Sequence, residues 1–600
     1  MATLENTQIR VLVDSVRDTD SEREESHNER HIRGERTPLL RTTQRRKLKL
    51  RGCCVKSKAA MFVLIWNALV TVMIGYAIQF GLVLATATEY ELQTFAPAYF
   101  GFLALLYLFY PLAGCLADIR CGRYKAITNS LWFMIWGGLF TCIGSIIIVC
   151  YSNGILSFQT VSVTTILGIS FGLSFSLGTI LLISSYISFS ANVIQFGMDQ
   201  LHDSPSEDSV LFIHSFVFAS NLGAAIDKLV IVSMKVVDKG IHPHQTQYIP
   251  EFIAGVHTTP IVALILLCIS ACIARRKRHW FLIDSGSRNP YKLVYKVIKF
   301  AAQHKSPICR SAFTYCEDEL PSRMDLAKGK YGGPFTTEQV EDVKAFLGIL
   351  QVLLTLGPMF ATDIAVSSML FKFITHLRRD HSKNGLLVIP LHSLEIGELT
   401  QVIPVILIPF YLCVLRPFIH RYIPGMLTRI ELGMIIRVLS LLSAFIIDTI
   451  GHINSNNTTY DCFITHPYHH RGFLSISMWC VILIYVSNAI SDMLFYIAAY
   501  EFICAQSPHA MKGLLIGTFF TVKGVFQLIG VLIILVLFAT WKLEVSFPSC
   551  GFVYYLINIL IIFVGLFAYS CVSRRYQYRQ RDEPDNIYRY AEDYYDRAHD

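Results

Sequence analysis

Between Ala59 and Ala85 the chain carries no charged side chain, and between Ser130 and Thr179 it carries none over a still longer stretch. A bilayer core about 30 Å thick needs roughly 20 apolar residues per helix, so each run is long enough to cross. Such runs recur near 59–85, 93–117, 126–150, 155–183, 211–233 and 250–274, and again near 344–371, 386–415, 431–450, 473–500, 513–540 and 552–572. In hydrocarbon every backbone amide must find its partner inside the segment, which selects helices. The pattern predicts an all-α membrane protein of about 12 transmembrane helices in two six-helix halves.

The polar intervals define the remaining parts. Residues 1–58 are charged and aromatic-poor, and close on Arg41, Arg45, Arg46, Lys47, Lys49, Arg51, Lys56 and Lys58 with no acid among them. Such a segment cannot bury enough apolar surface to fold alone, so it reads as a disordered cytosolic tail with a basic stop and no signal peptide. The halves are predicted to span 59–274 and 344–572. Residues 275–343, with Pro290, Pro307, Pro321 and Pro334, read as a long cytosolic linker, and 573–600 as a cytosolic tail.

Composition agrees, with 53% hydrophobic and 16% charged residues against roughly a quarter charged in soluble domains. The net charge of +8 does not indicate nucleic acid, because the basic residues flank apolar runs. A cytosolic N-terminus places Arg120, Arg123, Lys125, Arg275 to Arg278, Arg416, Arg421, Arg429 and the tail from Arg574 inside, as the positive-inside rule requires. Lys372, Arg378, Arg379 and Lys383 fall on the opposite side and dissent. Most of the 16 cysteines lie within apolar runs, which excludes a disulfide scaffold. Cys462 and Cys550 face the oxidising side, where a bridge between them is open but undecided. The same side holds overlapping glycosylation sequons at Asn456 and Asn457.

After the second run stands Gly114-Cys-Leu-Ala-Asp118-Ile-Arg-Cys-Gly122-Arg123-Tyr-Lys125. This spacing resembles the cytosolic loop motif of the major facilitator superfamily, and the resemblance implies a charge cluster that forms in one state and dissolves in another. Asn192-Val-Ile-Gln-Phe-Gly-Met-Asp199-Gln200, Ser220-Asn221-Leu-Gly223 and Glu501-Phe-Ile-Cys-Ala-Gln-Ser-Pro508-His-Ala-Met511-Lys512-Gly513 resemble the fourth-, fifth- and tenth-helix signatures of the proton-coupled oligopeptide transporter family. Details lean towards its lysosomal peptide and histidine branch. Glu35, Leu39 and Leu40 have the spacing of an acidic dileucine sorting signal, which implies an adaptor partner and an endosomal or lysosomal membrane, with the plasma membrane as the alternative. Cys53 and Cys54 are equally well read as palmitoylated or as plain thiols.

Ionisable groups inside a bilayer cost at least a few kcal/mol, so each is a functional candidate. They are Asp363, Glu395, Glu398, Arg437, Asp492, Glu501 and Lys523. The resemblance implies that Glu501 binds a substrate amine and senses the proton; Asp492, nine residues earlier where the family more often has Glu, is open between sharing that work and being a helix-interior acid satisfied by a neighbour. Lys523 should have a carboxylate partner, for which Asp363 or Glu501 would serve. His392, Glu395 and Glu398 share a face near the luminal end of the eighth helix, as a vestibule or a solvated helix start.

The chain departs from the family where E-x-x-E-R is usual in the first helix, at Asn67, Val70 and Thr71; where Lys is usual in the fourth, at Ser190; and in the fifth-helix aromatic pair, at Val217. The sequence therefore supports a carrier for small peptides or histidine-like amino acids, driven by a proton gradient and using no cofactor or metal. It leaves open a uniporter or a carrier of another solute, and a receptor or scaffold with little flux. No catalytic metal spacing, phosphate loop or nucleophile motif argues for an enzyme.

Overall fold

The computed structural model describes residues 55, 57–87, 105–152, 161–201, 206–241, 258–283, 289–304, 322–363, 399–419, 422–454, 478–508, 511–541 and 552–578. The named elements among them are helical, with one isolated bridge between Lys328 and Phe335. Among the described residues ten helices are long and apolar enough to cross a membrane, and Val402–Phe418 is a shorter apolar helix. With the segment ending at Leu116, these fall on the twelve runs read from the sequence.

The first half comprises α1 (Lys58–Ala87), α2 (Tyr110–Leu116), α3 (Arg123–Ser152), α4 (Val161–Asp199), α5 (Ser206–Ile241) and α6 (Thr258–Arg276). An amphipathic helix, α7 (Pro290–Gln303), lies in the linker. The second half comprises α8 (Thr337–Thr355), α9 (Leu399–Phe410), α10 (Met426–Asn454), α11 (Met478–Gln506), α12 (Lys512–Trp541) and α13 (Phe552–Ser573). Large apolar side chains such as Leu173, Ile180, Phe563 and Phe567 are exposed, as residues facing lipid tails should be.

Lipid is as apolar as leucine, so helices here adhere by close packing of small residues rather than by the hydrophobic effect. The pair α3 and α4 shows it. A Cβ on Gly178 would stand 2.7 Å from the Thr141 amide nitrogen, so any larger residue would force the helices apart.

The described parts of the linker carry regular structure. Asn289 caps α7 by accepting from the Lys292 N–H at 3.2 Å, and Pro290 occupies the first turn, where no amide is needed. Val297 and Ala301 are buried, while Lys292, Lys296 and Lys299 point out. Asp325 accepts from Lys328 and Lys344, each at 2.6 Å, and so ties the linker to the first turns of the seventh span. That span starts at Thr337, where Thr336 and Gln339 form a capping box. The apolar run near 344 missed these two amphipathic turns.

Two π-helical turns follow the regular helices, Ala117–Cys121 after α2 and Tyr411–Leu415 after α9. Pro409 lies just before the second. Its missing N–H and its ring disrupt the regular ladder, and the wider turn re-aims Tyr411.

Candidate functional site

At one end of the helices the two halves meet through buried charge. Arg123 Nε donates to Asp118 Oδ1 at 3.3 Å, and its guanidinium also donates to Asp199 at the end of α4. Lys512, in the first turn of α12, donates to the other Asp199 oxygen at 3.4 Å. Asp118, Arg123 and Lys512 are all buried, so the cluster holds first-half acids against a second-half base away from water. Gly122 turns the chain between Asp118 and Arg123 with φ +70°, a backbone that side chains disfavour. Gly114 touches α12 directly, because a Cβ there would sit 2.4 Å from the Gly513 carbonyl oxygen. Asp118 in turn overlies Gly513 at the positive end of α12. Lys125, the last residue of the motif, is exposed.

The other signature residues mostly shape this end. Asn192 and Asn221 donate to the backbone of their own helices, to Ser188 O and Val217 O, each at 2.8 Å. Gln200 exchanges two hydrogen bonds with the Leu282 backbone, at 3.2 and 2.8 Å, fixing the start of the linker to α4. Pro508 ends α11, and its carbonyl accepts from the Met511 N–H at 2.9 Å in the turn before α12.

One layer further in, Glu501 on α11 is fully buried and pairs with Arg429 on α10. His214 on α5 brings Nδ1 to 3.6 Å from Glu501 Oε1 while that nitrogen lies 3.0 Å from the Val210 carbonyl oxygen. Tyr411 stacks on the His214 ring with centroids 5.5 Å apart. Beside them Gln195 on α4 donates to the Cys504 sulfur on α11 at 3.5 Å. The His214–Glu501, Tyr411–His214 and Gln195–Cys504 contacts cross from one half to the other, whereas the Glu501–Arg429 pair lies within the second half, so Glu501 is anchored within the second half and read by the first.

A separate cluster lies deeper. Arg437 on α10 donates to Asp363 Oδ1 at 3.1 Å and to Asp492 on α11, and its other terminal nitrogen is 3.5 Å from Asn488 Oδ1. Tyr496 donates to the second Asp363 oxygen at 3.0 Å. Arg437 is 2% exposed, whereas the Asp492 side chain is 38% exposed, so the cluster opens on its Asp492 side. Asp492 precedes Glu501 by about 13 Å of helical rise, which sets the two ionic layers apart.

The expected pairing of Lys523 with Asp363 or Glu501 is not found among the described residues. Arg437 holds Asp363 and Asp492 with a planar fork that suits two carboxylates, and Arg429 holds Glu501. Lys523 instead stands 4.9 Å from the Tyr496 ring centroid and 5.7 Å from that of Tyr107, an arrangement that stabilises a cation by the ring quadrupoles. Arg429, read from the sequence as an inside charge, is also buried and bound to Glu501. His214, Tyr411, Tyr107 and Tyr496 were missed, and His214 alone left a signal, a lone imidazole inside the fifth run. Glu35, Leu39, Leu40, His392, Glu395, Glu398, Asn456, Asn457, Cys462 and Cys550 lie outside the described residues, as do Lys372, Arg378, Arg379 and Lys383.

Two helical halves with charge buried between them, and a lock at one end, define a carrier-type membrane protein. Residues 131–546 match the family described as PTR2, POT family. The chain thus belongs to the POT family, whose members are transporters and not enzymes. It is 23% identical to solute carrier family 15 member 3 of Mus musculus over 460 residues, covering 72% of this chain and 74% of that protein. It is 28% identical to protein NRT1/PTR family 8.5 of Arabidopsis thaliana over 206 residues, or 32% of this chain and 30% of that one. Among solved structures it resembles the POT family transporter PepTSo, with TM-score 0.55 and 16% identity over 87% of this chain and 99% of that one. An auto-inhibited POT family peptide transporter gives TM-score 0.53 and 15% identity over 88% and 99%. The fold is the helical fold of these POT family transporters.

Proposed function

We propose that this protein carries small peptides, histidine-like amino acids, or both across an endosomal or lysosomal membrane by alternating access, with protons moving in the same direction. The observation that carries the reading is the pair of ionic layers. The Asp118–Arg123–Asp199–Lys512 lock joins the halves at the cytosolic end, and Glu501 with His214 reinforces it. A rocking motion that opens the cytosolic side must break these bonds, and protons or cargo on the buried acids supply the differential interaction that such a shift requires. Glu501 and Asp492 are the groups through which amine or proton acts, with Asp363 held beside Arg437.

Residence in an acidic compartment rests on Glu35, Leu39 and Leu40 as an adaptor signal and on Asn456 and Asn457 as luminal glycan sites. The test is uptake of a labelled dipeptide and of histidine by purified protein in liposomes. An imposed inward proton gradient should raise accumulation severalfold; flux that ignores the gradient refutes the coupling. Uniport is the second reading, and the neutral first helix favours it. Asn67 there donates to Phe216 O at 3.0 Å and Ser220 Oγ at 2.7 Å, so it is committed to packing α1 on α5.

A further inference from the structure

The linker helix α7 presents two different faces. At about 100° per residue, its buried positions Pro290, Val297 and Ala301 fall on one side, which packs against α8 and the turn at Asp325–Ala327. Phe300 closes that side with an edge contact to Phe335, ring centroids 6.3 Å apart. The outer side carries two parallel stripes of exposed residues. Lys292, Lys296 and Lys299 follow one another at i, i+4 and i+7, and beside them run Tyr295, Ile298 and Ala302 at i, i+3 and i+7. Tyr295 is 65% exposed and Ile298 40%. Scattered apolar side chains are ordinary on a surface, but a line of them beside a line of cations is a pattern. The helix holds no acid, and none of its lysines pairs with one among the described residues. Lys299 Nζ lies 5.9 Å from the Tyr295 ring centroid, its stem laid along the aromatic face.

The helix also sits at the basic end of the bundle. Burial first, then Cys115 and Asp118, push the Tyr291 hydroxyl up from its ordinary value, so the first turn of α7 stands beside the lock. Exposed Arg275, Arg276 and Lys277 end α6 at that same end, where Tyr124, next to Arg123, donates to the Ala274 carbonyl at 3.4 Å.

We propose that the outer face of α7 is a docking surface for the anionic leaflet of the membrane that the chain spans: Tyr295, Ile298 and Ala302 enter the boundary between headgroups and acyl chains, and Lys292, Lys296 and Lys299 bind the acidic headgroups alongside. Interfacial helices work in this way, with an apolar stripe sunk about 5–10 Å and lysines reaching outward to anionic lipid. A protein that takes an amphipathic helix into a groove needs its main apolar face, and in α7 that face is already buried within the chain. A bilayer needs only the outer face, and the end of α6 keeps α7 close to one. Each lysine near an anionic surface contributes roughly a fivefold preference, so three give on the order of a hundredfold. Seated there, α7 fixes the linker beside the lock, whichever solute is carried.

The test uses the full chain in nanodiscs of phosphatidylcholine alone or mixed with phosphatidylserine. Acetylation of Lys292, Lys296 and Lys299 by acetic anhydride is read peptide by peptide against Lys330, which is exposed in the same linker. With phosphatidylserine the three rates should fall by about tenfold or more relative to Lys330, and high salt should restore them. Tyr295→Ser combined with Ile298→Ser leaves the buried face and the lysines intact, yet should lose most of the protection. The proposal is overturned if the ratios are the same in both lipids. It is overturned equally if the double variant keeps full protection, because the attraction is then diffuse charge without a seated helix. Protection that ignores phosphatidylserine but appears on adding calmodulin, a probe for acidic helix-binding proteins, overturns it in favour of a protein partner. Soluble phosphoserine in phosphatidylcholine discs should protect nothing, and protection matching that of the lipid would replace the membrane surface with a small-anion site.

Discussion

Replacing Gly114 by alanine should loosen the lock between the halves by a calculable amount. The new Cβ would lie 2.4 Å from the Gly513 carbonyl oxygen and 2.8 Å from its carbon. Ordinary contacts of this kind need about 3.4 Å, near the inner edge of favourable dispersion, so α2 and α12 must separate by nearly 1 Å. Both partners are backbone, and no flexible side chain can yield instead. Overpacking of this sort costs about 1–3 kcal/mol. The cost falls only on the state in which α2 and α12 touch, so a central value of about 2 kcal/mol shifts the closed-to-open ratio roughly thirtyfold at 1.4 kcal/mol per tenfold.

Cys504 reports the shift. It is 2% exposed and sits against Gln195 across the same interface. Labelling by a membrane-impermeant maleimide added from the cytosolic side, read at Cys504 by peptide mass spectrometry, should quicken by a comparable factor in Gly114→Ala. An unchanged rate in a variant with native helicity would mean that this contact does not belong to one state of the cycle, and the gate argument would fail.

Arg437→Met should lower the melting temperature markedly, because it leaves Asp363 and Asp492 without their shared partner at about 3 kcal/mol, and adding Asp363→Asn should recover part of the loss; an unchanged melting temperature in the single variant would disprove the pairing. Glu501→Gln should both quicken Cys504 labelling and cut gradient-driven uptake at least tenfold, whereas intact uptake would remove Glu501 from the site. In the linker, partial burial would raise the Asp325 pKa, but hydrogen bonds from Lys328, Lys344 and Ser322 outweigh it and hold the carboxylate below its usual range. Its folded pKa is lower than its unfolded one, about 3.9, so its contribution is complete above that value and lost only as pH falls through the folded pKa. Amide protection over residues 322–344 should therefore be the same at pH 7 and pH 5 after correction for intrinsic exchange, and a drop by pH 5 would contradict the ion-pair account. Asn67→Ala should cost about 1–2 kcal/mol through two lost hydrogen bonds, one to the Phe216 carbonyl, measured as a fall in detergent melting temperature that Asn67→Gln only partly avoids.

Part of the site was legible because its residue types are conspicuous in an apolar run. Asp363, Arg437, Asp492, Glu501 and Lys523 stand out by charge alone, and the glycines around Asp118 by spacing. Arg429 escaped notice because a base at a helix end satisfies the positive-inside rule without further explanation. Tyr107, Tyr496 and Tyr411 escaped because tyrosines are common in membrane helices, and only their neighbours set three apart from the rest. The amphipathic turns at Thr337 and the linker helix α7 were hidden by a criterion that counts apolar length.

The sequence by itself determined how often and where the chain crosses the bilayer, because crossing depends on the length of an apolar run and on the charges at its ends. It also determined that Asp363, Arg437, Asp492, Glu501 and Lys523 lie within or at the edge of bilayer-length apolar runs. The tertiary structure alone decided which of those groups meet, assigning Arg437 to Asp363 and Asp492, Arg429 to Glu501, and leaving Lys523 to tyrosines. Pairing depends on the rotation of each helix about its axis and on the residue opposite, here set by close approaches such as Gly114 on Gly513 and by the bend after Pro409. Those are properties of two segments distant in the chain, and no local pattern in either one specifies them.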